Sequence, residues 1–230
     1  PAPSTGLQVA LSSNKAFVTV PASITVPAGA TEVTFNALTS AVAANSTATI
    51  TGTIGARTAT GTLTVTAPQL TGLTVRPVSV PGGTSSNGTV TLSSAAPVGG
   101  VTVALSSSSL KAGVPATVSI VEGATSAQFT VTTVGVSAPV SAVITGTLNG
   151  ISATDTLTVT APTVVSVTLD PTTVPGGRTS TGTVNIGYAA PAGGVVVSLA
   201  SSNAAATLPV SVTVAEGATK ATFTITTTAV

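Results

Sequence analysis

Apolar and polar side chains alternate with period two along most of this chain. Between 101 and 106, Val101, Val103 and Leu105 fall on one side of an extended backbone, with Thr102 and Ala104 on the other. From 126 to 133, Phe129 and Val131 share a side, and from 152 to 160, Leu157 and Val159 oppose Thr156, Thr158 and Thr160. Short runs at 70–76, 88–93, 116–121 (Val118 and Ile120 inward) and 140–148 complete a set of seven between residues 69 and 162. Turn residues separate them: Pro81-Gly82-Gly83, Ala96 to Gly100, Glu122-Gly123-Ala124, and Asn149-Gly150, a dipeptide that accepts positive φ at both central positions of a hairpin. No stretch has a helical period. The pattern predicts an all-β protein built as a two-sheet sandwich.

The same pattern returns at a fixed offset. "EGATSAQFTV" at 122–131 reappears as "EGATKATFTI" at 216–225 and stands earlier as "AGATEVTFNA" at 28–37; "TLTVTAP" occurs at 62–68 and 156–162, and "VPGG" at 80–83 and 174–177. Every one of these offsets is 94 residues, and the register holds without a gap, so the chain reads as about 2.45 copies of one unit. A unit of that length is too long for a solenoid coil or propeller blade and matches an independent sandwich domain. Proline after each "TA" closes a strand and stiffens the connection. The expected units are 1–68, lacking the first two strands, 69–162, complete, and 163–230, lacking the last two. With Pro1 first and no Met anywhere, the chain reads as processed or as a segment of a longer one. No apolar run approaches the ~20 residues of a membrane-spanning helix, so any signal or anchor is expected outside it.

Composition narrows the chemistry. Thr (47) and Ser (26) make up about a third of the 230 residues, whereas His, Cys, Met and Trp are absent. That removes zinc sites, Ser-His and Cys-His nucleophiles and disulfides. Six basic and five acidic residues give a net charge of +1, which offers no footprint for a phosphate backbone. The core must come from small β-branched side chains plus one ring per unit: Phe35, Phe129 and Phe223 align and are the expected core aromatics. Gly52 and Gly146 leave gaps in the sixth strand that this ring is expected to cover.

The seven-strand pattern, "VTLDPTTVPGG" at 167–177, "VSLASSNAAATLPVSVTVAEGATKATFTITT" at 197–227 and the closing "TLTVTAP" resemble tandem bacterial immunoglobulin-like (Big-type) repeats of long secreted and cell-surface proteins. The resemblance covers the whole chain. It implies seven-stranded immunoglobulin-like sandwiches in extracellular stalks, adhesin shafts or fibres; it implies nothing about activity, because function resides in sites and not in folds.

Few residues invite a site. Glu122 and Glu216 lie in equivalent turns where the third copy has Ala28, and read as solvated turn residues. Two Asp in the chain, Asp155 and Asp170, cannot build the oxygen cage of a calcium-stiffened repeat. Lys15, Lys111 and Lys220 have no recurring acid beside them, which argues against a Lys–Asn crosslink. Asn45-Ser46-Thr47 and Asn87-Gly88-Thr89 match the N-glycosylation pattern and make Asn45 and Asn87 the candidate acceptors. The Thr-rich faces suit strands in their own right. The sequence therefore predicts no enzyme, no catalytic, cofactor or metal site, no cofactor and no small-molecule or nucleic-acid partner. It predicts an extracellular or cell-surface structural protein whose partners are copies of itself, in a filament, fibre or stalk. A module that recognises a glycan or protein is the alternative, although the only Tyr, Tyr188, is not a repeated feature.

Overall fold

Period-two alternation puts every second side chain on one side of a pleated backbone, and pairs of such ribbons bury that side against each other. The computed structural model describes residues 1–229, and every regular element among them is a strand. Residues 1–68 contain β1 (Leu7–Ser13), β2 (Val18–Thr19), β3 (Ser23–Val26), β4 (Leu38–Thr39), β5 (Ser46–Ile54) and β6 (Arg57–Val65). Residues 69–162 contain β7 (Leu70–Arg76), β8 (Ser79–Pro81), β9 (Ser86–Leu92), β10 (Val101–Ser107), β11 (Ala112–Gly113), β12 (Thr117–Ile120), β13 (Ser126–Thr133), β14 (Val140–Leu148) and β15 (Ile151–Thr160). The remainder holds β16 (Val164–Asp170), β17 (Thr179–Ile186), β18 (Val195–Ser198), β19 (Ala206–Thr207), β20 (Ser211–Val214) and β21 (Lys220–Thr227).

Among the described residues no ladder crosses Pro68 or Pro162. In the middle segment one sheet has the order β12-β10-β14-β15-β8 and the other β11-β13-β9-β7. The pairs are antiparallel except β8 with β15, where Val80 lies beside Val159 in parallel. The chain therefore changes sheet between β7 and β8, after a cis Arg76–Pro77 bond. The seven expected strands are all present. Two more, β8 and β11, escape the sequence pattern because they span three and two residues and carry Pro81 and Gly113, which leaves no alternation to read.

Between the two sheets of 69–162, Leu73, Val75, Val90 and Leu92 meet Val103, Leu105, Ile144, Leu157 and Val159 in one buried cluster. Phe129 is 7% and Phe223 8% exposed. Contrary to the expectation from the sequence, the Phe129 ring does not cover Gly146. A Cβ at Gly146 would instead meet Leu73 Cδ1 at 3.1 Å and Val103 Cγ1 at 3.4 Å, so aliphatic chains fill that space. Phe129 lies over Gly88, its direct partner across β13 and β9, where a Cβ would stand 2.1 Å from Phe129 Cζ. Phe223 lies over Gly182 in the same way, at 2.2 Å. A ring can lie flat on a sheet only where its neighbour has no side chain.

Phe35 departs from the expected core: it is 38% exposed. Residues 1–68 hold the sheet β3-β1-β5-β6 but no strand corresponding to β9, so no glycine strand lies beneath the ring, and 32–37 form no ladder. The last segment has the complementary opening. Its sheet β16-β17-β21-β19 has no counterpart of β14 and β15 to face. Val167 and Leu169 are accordingly 50% and 42% exposed, where their aligned residues Leu73 and Val75 are 5% and 0%.

Two hydrogen-bonded clasps recur. Ser86 and Ser180 are buried and donate to the carbonyls of Pro77 and Pro171 at 2.8 and 2.7 Å. Thr133 Oγ1 donates to the Thr84 carbonyl and accepts from Gly83 N at 3.1 Å, holding the turn after β8 against the end of β13. Thr227 Oγ1 donates to the Arg178 carbonyl at 2.8 Å in the matching place. Each clasp satisfies a loop carbonyl that has no ladder partner.

Candidate functional site

The alternation that builds the core also dictates the surface. On the outer face of β14 and β15, directly opposed pairs are Thr147 with Ser152, Thr145 with Thr154, Val143 with Thr156 and Ser141 with Thr158. On β5 and β6 they are Thr47 with Thr64, Thr49 with Thr62, Thr51 with Thr60 and Thr53 with Thr58. Of these eight threonines only Thr47 and Thr64 bond to each other through their hydroxyls, at 3.2 Å. Of the two sheets of 69–162, the outer faces carry one charge, Arg76. These rows carry hydroxyls and one valine, with no carboxylate, imidazole or thiol among them.

That single charge is held down. Arg76 Nη1 lies 2.9 Å from Asp155 Oδ2, and the same oxygen accepts the backbone N–H of Val75 at 2.8 Å. Partial burial of Asp155 opposes its ionisation. The N–H groups of Val75 and Thr156, together with the Arg76 guanidinium, outweigh that effect and keep the carboxyl below the ordinary Asp value. The bridge joins β15 of one sheet to β7 of the other. Sequence reading passed over the pair because its members align with Gly61 and Asp170 and so do not recur. Opposite charges departing from the repeat within one unit were the available signal.

The joints between units form the second feature. Gly135, in the loop after β13, packs against the next unit: a Cβ there would lie 3.1 Å from Cα and Cβ of Pro191. Pro97 and Pro191 are buried and Pro3 is exposed, although the three align. A groove at the first joint is lined by Thr39, Ser40 and Ala41 on one side and by Ser94 and Ala95 on the other. At the same joint Asn45 Oδ1 accepts the N–H of Ala67 at 2.8 Å, tying the loop before β5 to the linker.

This arrangement of paired sheets and abutting ends can be compared with known proteins. No protein-family profile matches the sequence, and no curated protein matches it. Solved structures do. That of invasin, a bacterial integrin-binding protein, aligns over 98% of this chain with a TM-score of 0.51 and 17% sequence identity. The chain shares the fold of invasin. It spans about half of that structure's length, 48%. The D00-D0 domain of intimin aligns over 69% of this chain and 93% of its own at 12% identity, with a TM-score of 0.31. The S-layer protein SbsC aligns over 99% of this chain and 29% of its own at 18% identity, with a TM-score of 0.34. The last two scores are too low to compare arrangements, and the likeness to invasin concerns architecture alone.

On that invasin-like frame the remaining candidate residues are scattered. Asn87 is exposed on β9, between Arg76 on β7 and Thr130 on β13. Asn45 is exposed at the first joint, with its side-chain oxygen committed to Ala67. Glu122 and Glu216 lie in exposed turns, and among the described residues the one ion pair is Arg76–Asp155, so Lys15, Lys111 and Lys220 face no acid. The structure brings none of these together.

Proposed function

We propose that the chain is part of an extracellular or cell-surface shaft, an adhesin-like structural element in which immunoglobulin-like units abut end to end and copies pack side by side into a filament or fibre. The observation that carries this reading is the uncharged, hydroxyl-rich outer face of β5–β6 and of β14–β15, which does not repel a copy of itself. The shared fold with invasin and the packed joints at Gly135–Pro191 support a shaft held by contacts between units. Of the two glycosylation acceptors we favour Asn87, which is exposed on the outer face of β9, over Asn45, whose side chain is fixed by the Ala67 N–H at the joint; intact-mass measurement of native material with and without Asn87→Gln tests it. The filament reading is tested by sedimentation velocity and electron microscopy of the purified 230-residue chain across a wide concentration range. Concentration-dependent ordered assemblies are expected. A strictly monomeric chain with no ordered assembly at high concentration overturns side-by-side packing.

A further inference from the structure

The first joint carries carboxamides where the second has other residues. It encloses a cleft of about 350 Å³ lined by Asn45, Gln69 and Asn149 over an apolar floor that includes Pro68, Leu148 and Ile151. The chain contains seven Asn and three Gln, so three of its ten carboxamides line this one cleft. None is a repeat residue. Asn45 stands where the second joint has Pro139, Gln69 where it has Thr163, and Asn149 where the first unit has Gly55.

Each carboxamide sits on a fixed backbone. Asn45 is oriented by its bond to Ala67 N, which leaves its NH2 group free. Gln69 is anchored through its backbone in both directions by Ser93, whose Oγ accepts from Gln69 N at 3.0 Å and whose N–H donates to Gln69 O at 2.9 Å. Asn149 is set by the left-handed turn it makes with Gly150, at φ 50 and 82°. Among the described residues no protein group bonds to the side-chain amides of Gln69 and Asn149 or to the NH2 of Asn45. A carboxamide offers a donor pair and an acceptor side by side, the complement of neighbouring hydroxyls on a sugar ring, while the apolar floor suits the ring's C–H face. No residue lining the cleft is charged, which disfavours an ionic ligand.

We propose that this cleft is a binding site for a neutral saccharide. It stands apart from the filament reading, since a joint within one chain needs no second copy. Without an aromatic platform the affinity is modest, roughly millimolar, with the oriented Asn45 amide and the fixed backbones of Gln69 and Asn149 lowering the ordering cost. The test is a titration of the isotope-labelled 230-residue chain with cellobiose, maltose and chitobiose, followed by amide chemical shifts. For at least one disaccharide, saturable shifts are expected at 43–45, 67–69 and 148–151, with none at 137–139 and 161–163. Asn149→Gly and Gln69→Thr, which install the residues found at the aligned positions, keep the fold visible in the same spectra. Each is expected to weaken binding about tenfold. Absence of saturable shifts with all three sugars, shifts centred elsewhere, or unchanged affinity in both variants overturns the proposal. So does a response to Ala-Ala-Ala with none to the disaccharides, which assigns the cleft to peptide.

Discussion

The Phe129 ring over Gly88 is the most exacting test of the packing. Phe129 is nearly buried, and its ring removes on the order of 150 Å² of apolar surface from water, equivalent to about 4 kcal/mol at ~25 cal/mol per Å². Phe129→Ala should therefore cost roughly 3–5 kcal/mol. Gly88→Ala acts from the other side of the same contact. Its Cβ would be 2.1 Å from Phe129 Cζ and 2.4 Å from Cε2, a clash that shifts either the ring or the strand and costs about 1–3 kcal/mol. Because both changes act on one contact, they should not add: in Gly88→Ala/Phe129→Ala the new methyl occupies space the ring has vacated. The double variant should lose less than the sum by at least about 1 kcal/mol. Native-state hydrogen exchange on β9 and β13 amides reads the opening free energy of this unit without assuming that the whole chain unfolds in one step. A Gly88→Ala cost below about 0.5 kcal/mol, or additivity of the two changes, would show that ring and glycine are not in contact and refute the argument.

Three further outcomes follow from single contacts. Asp155→Asn should cost about 1 kcal/mol, seen as earlier exchange of β7 amides, because Val75 N–H loses an ionised acceptor. Since the Asp155 carboxyl titrates below its unfolded value, its contribution is complete above the ordinary Asp pKa of about 3.9 and disappears as pH falls through the lower folded value; a pH series of exchange or melting should lose this increment in the parent below about pH 4 and show no such step in the variant. Thr133→Val removes a clasp of similar shape and should cost about 1–2 kcal/mol, with the turn at 82–84 exchanging first. Gly135→Leu should leave each unit's melting unchanged but wedge the second joint against Pro191, read as a changed maximum dimension in small-angle scattering; an unaltered scattering profile sets the contact aside.

How far the sequence could be read depends on whether a feature recurs in a regular pattern. The strand faces were legible because Val103, Leu105, Leu157 and Val159 obey a strict period, and burial follows from it directly. The partner of Phe129 was not. Both Gly88 and Gly146 are glycines within strands, and choosing between them needs the register across β13 and β9, which no local pattern encodes. Phe35 shows the converse limit: it repeats Phe129 in sequence but lacks the strand corresponding to β9, so the same residue is 38% exposed where Phe129 is buried. The carboxamide cleft was illegible for a different reason. Asn45, Gln69 and Asn149 lie 24 and 80 residues apart and meet only once two units abut.

The manner in which copies of so uncharged a protein could pack is constrained by its sheet edges. Most sandwich proteins protect exposed edges with charge. In 69–162 the edges are β12, of four residues, β11, of two, β8, which contains Pro81, and β7, which carries an irregularity between Leu70 and Gly72. Short, proline-bearing and irregular strands are poor templates for continued pairing, so edge-to-edge growth through 69–162 is disfavoured by backbone geometry, and the longer open edges are β6, of nine residues, and β16, of seven. The faces are not blocked in this way. Side-by-side packing through 69–162 then runs through the hydroxyl rows, with Ser141 and Thr154 as exposed members on the outer face of β14 and β15. Lysines at both positions should abolish ordered assembly by sedimentation and microscopy, and their restoration by salt should follow screening over about 8–10 Å. Surface changes of this kind alter folding by no more than about 0.5 kcal/mol, so the melting temperature should hold. Assembly that survives both lysines, or fibres diffracting with the ~4.7 Å spacing of continuous strand pairing, would mean that copies join by their edges and that the faces play no part.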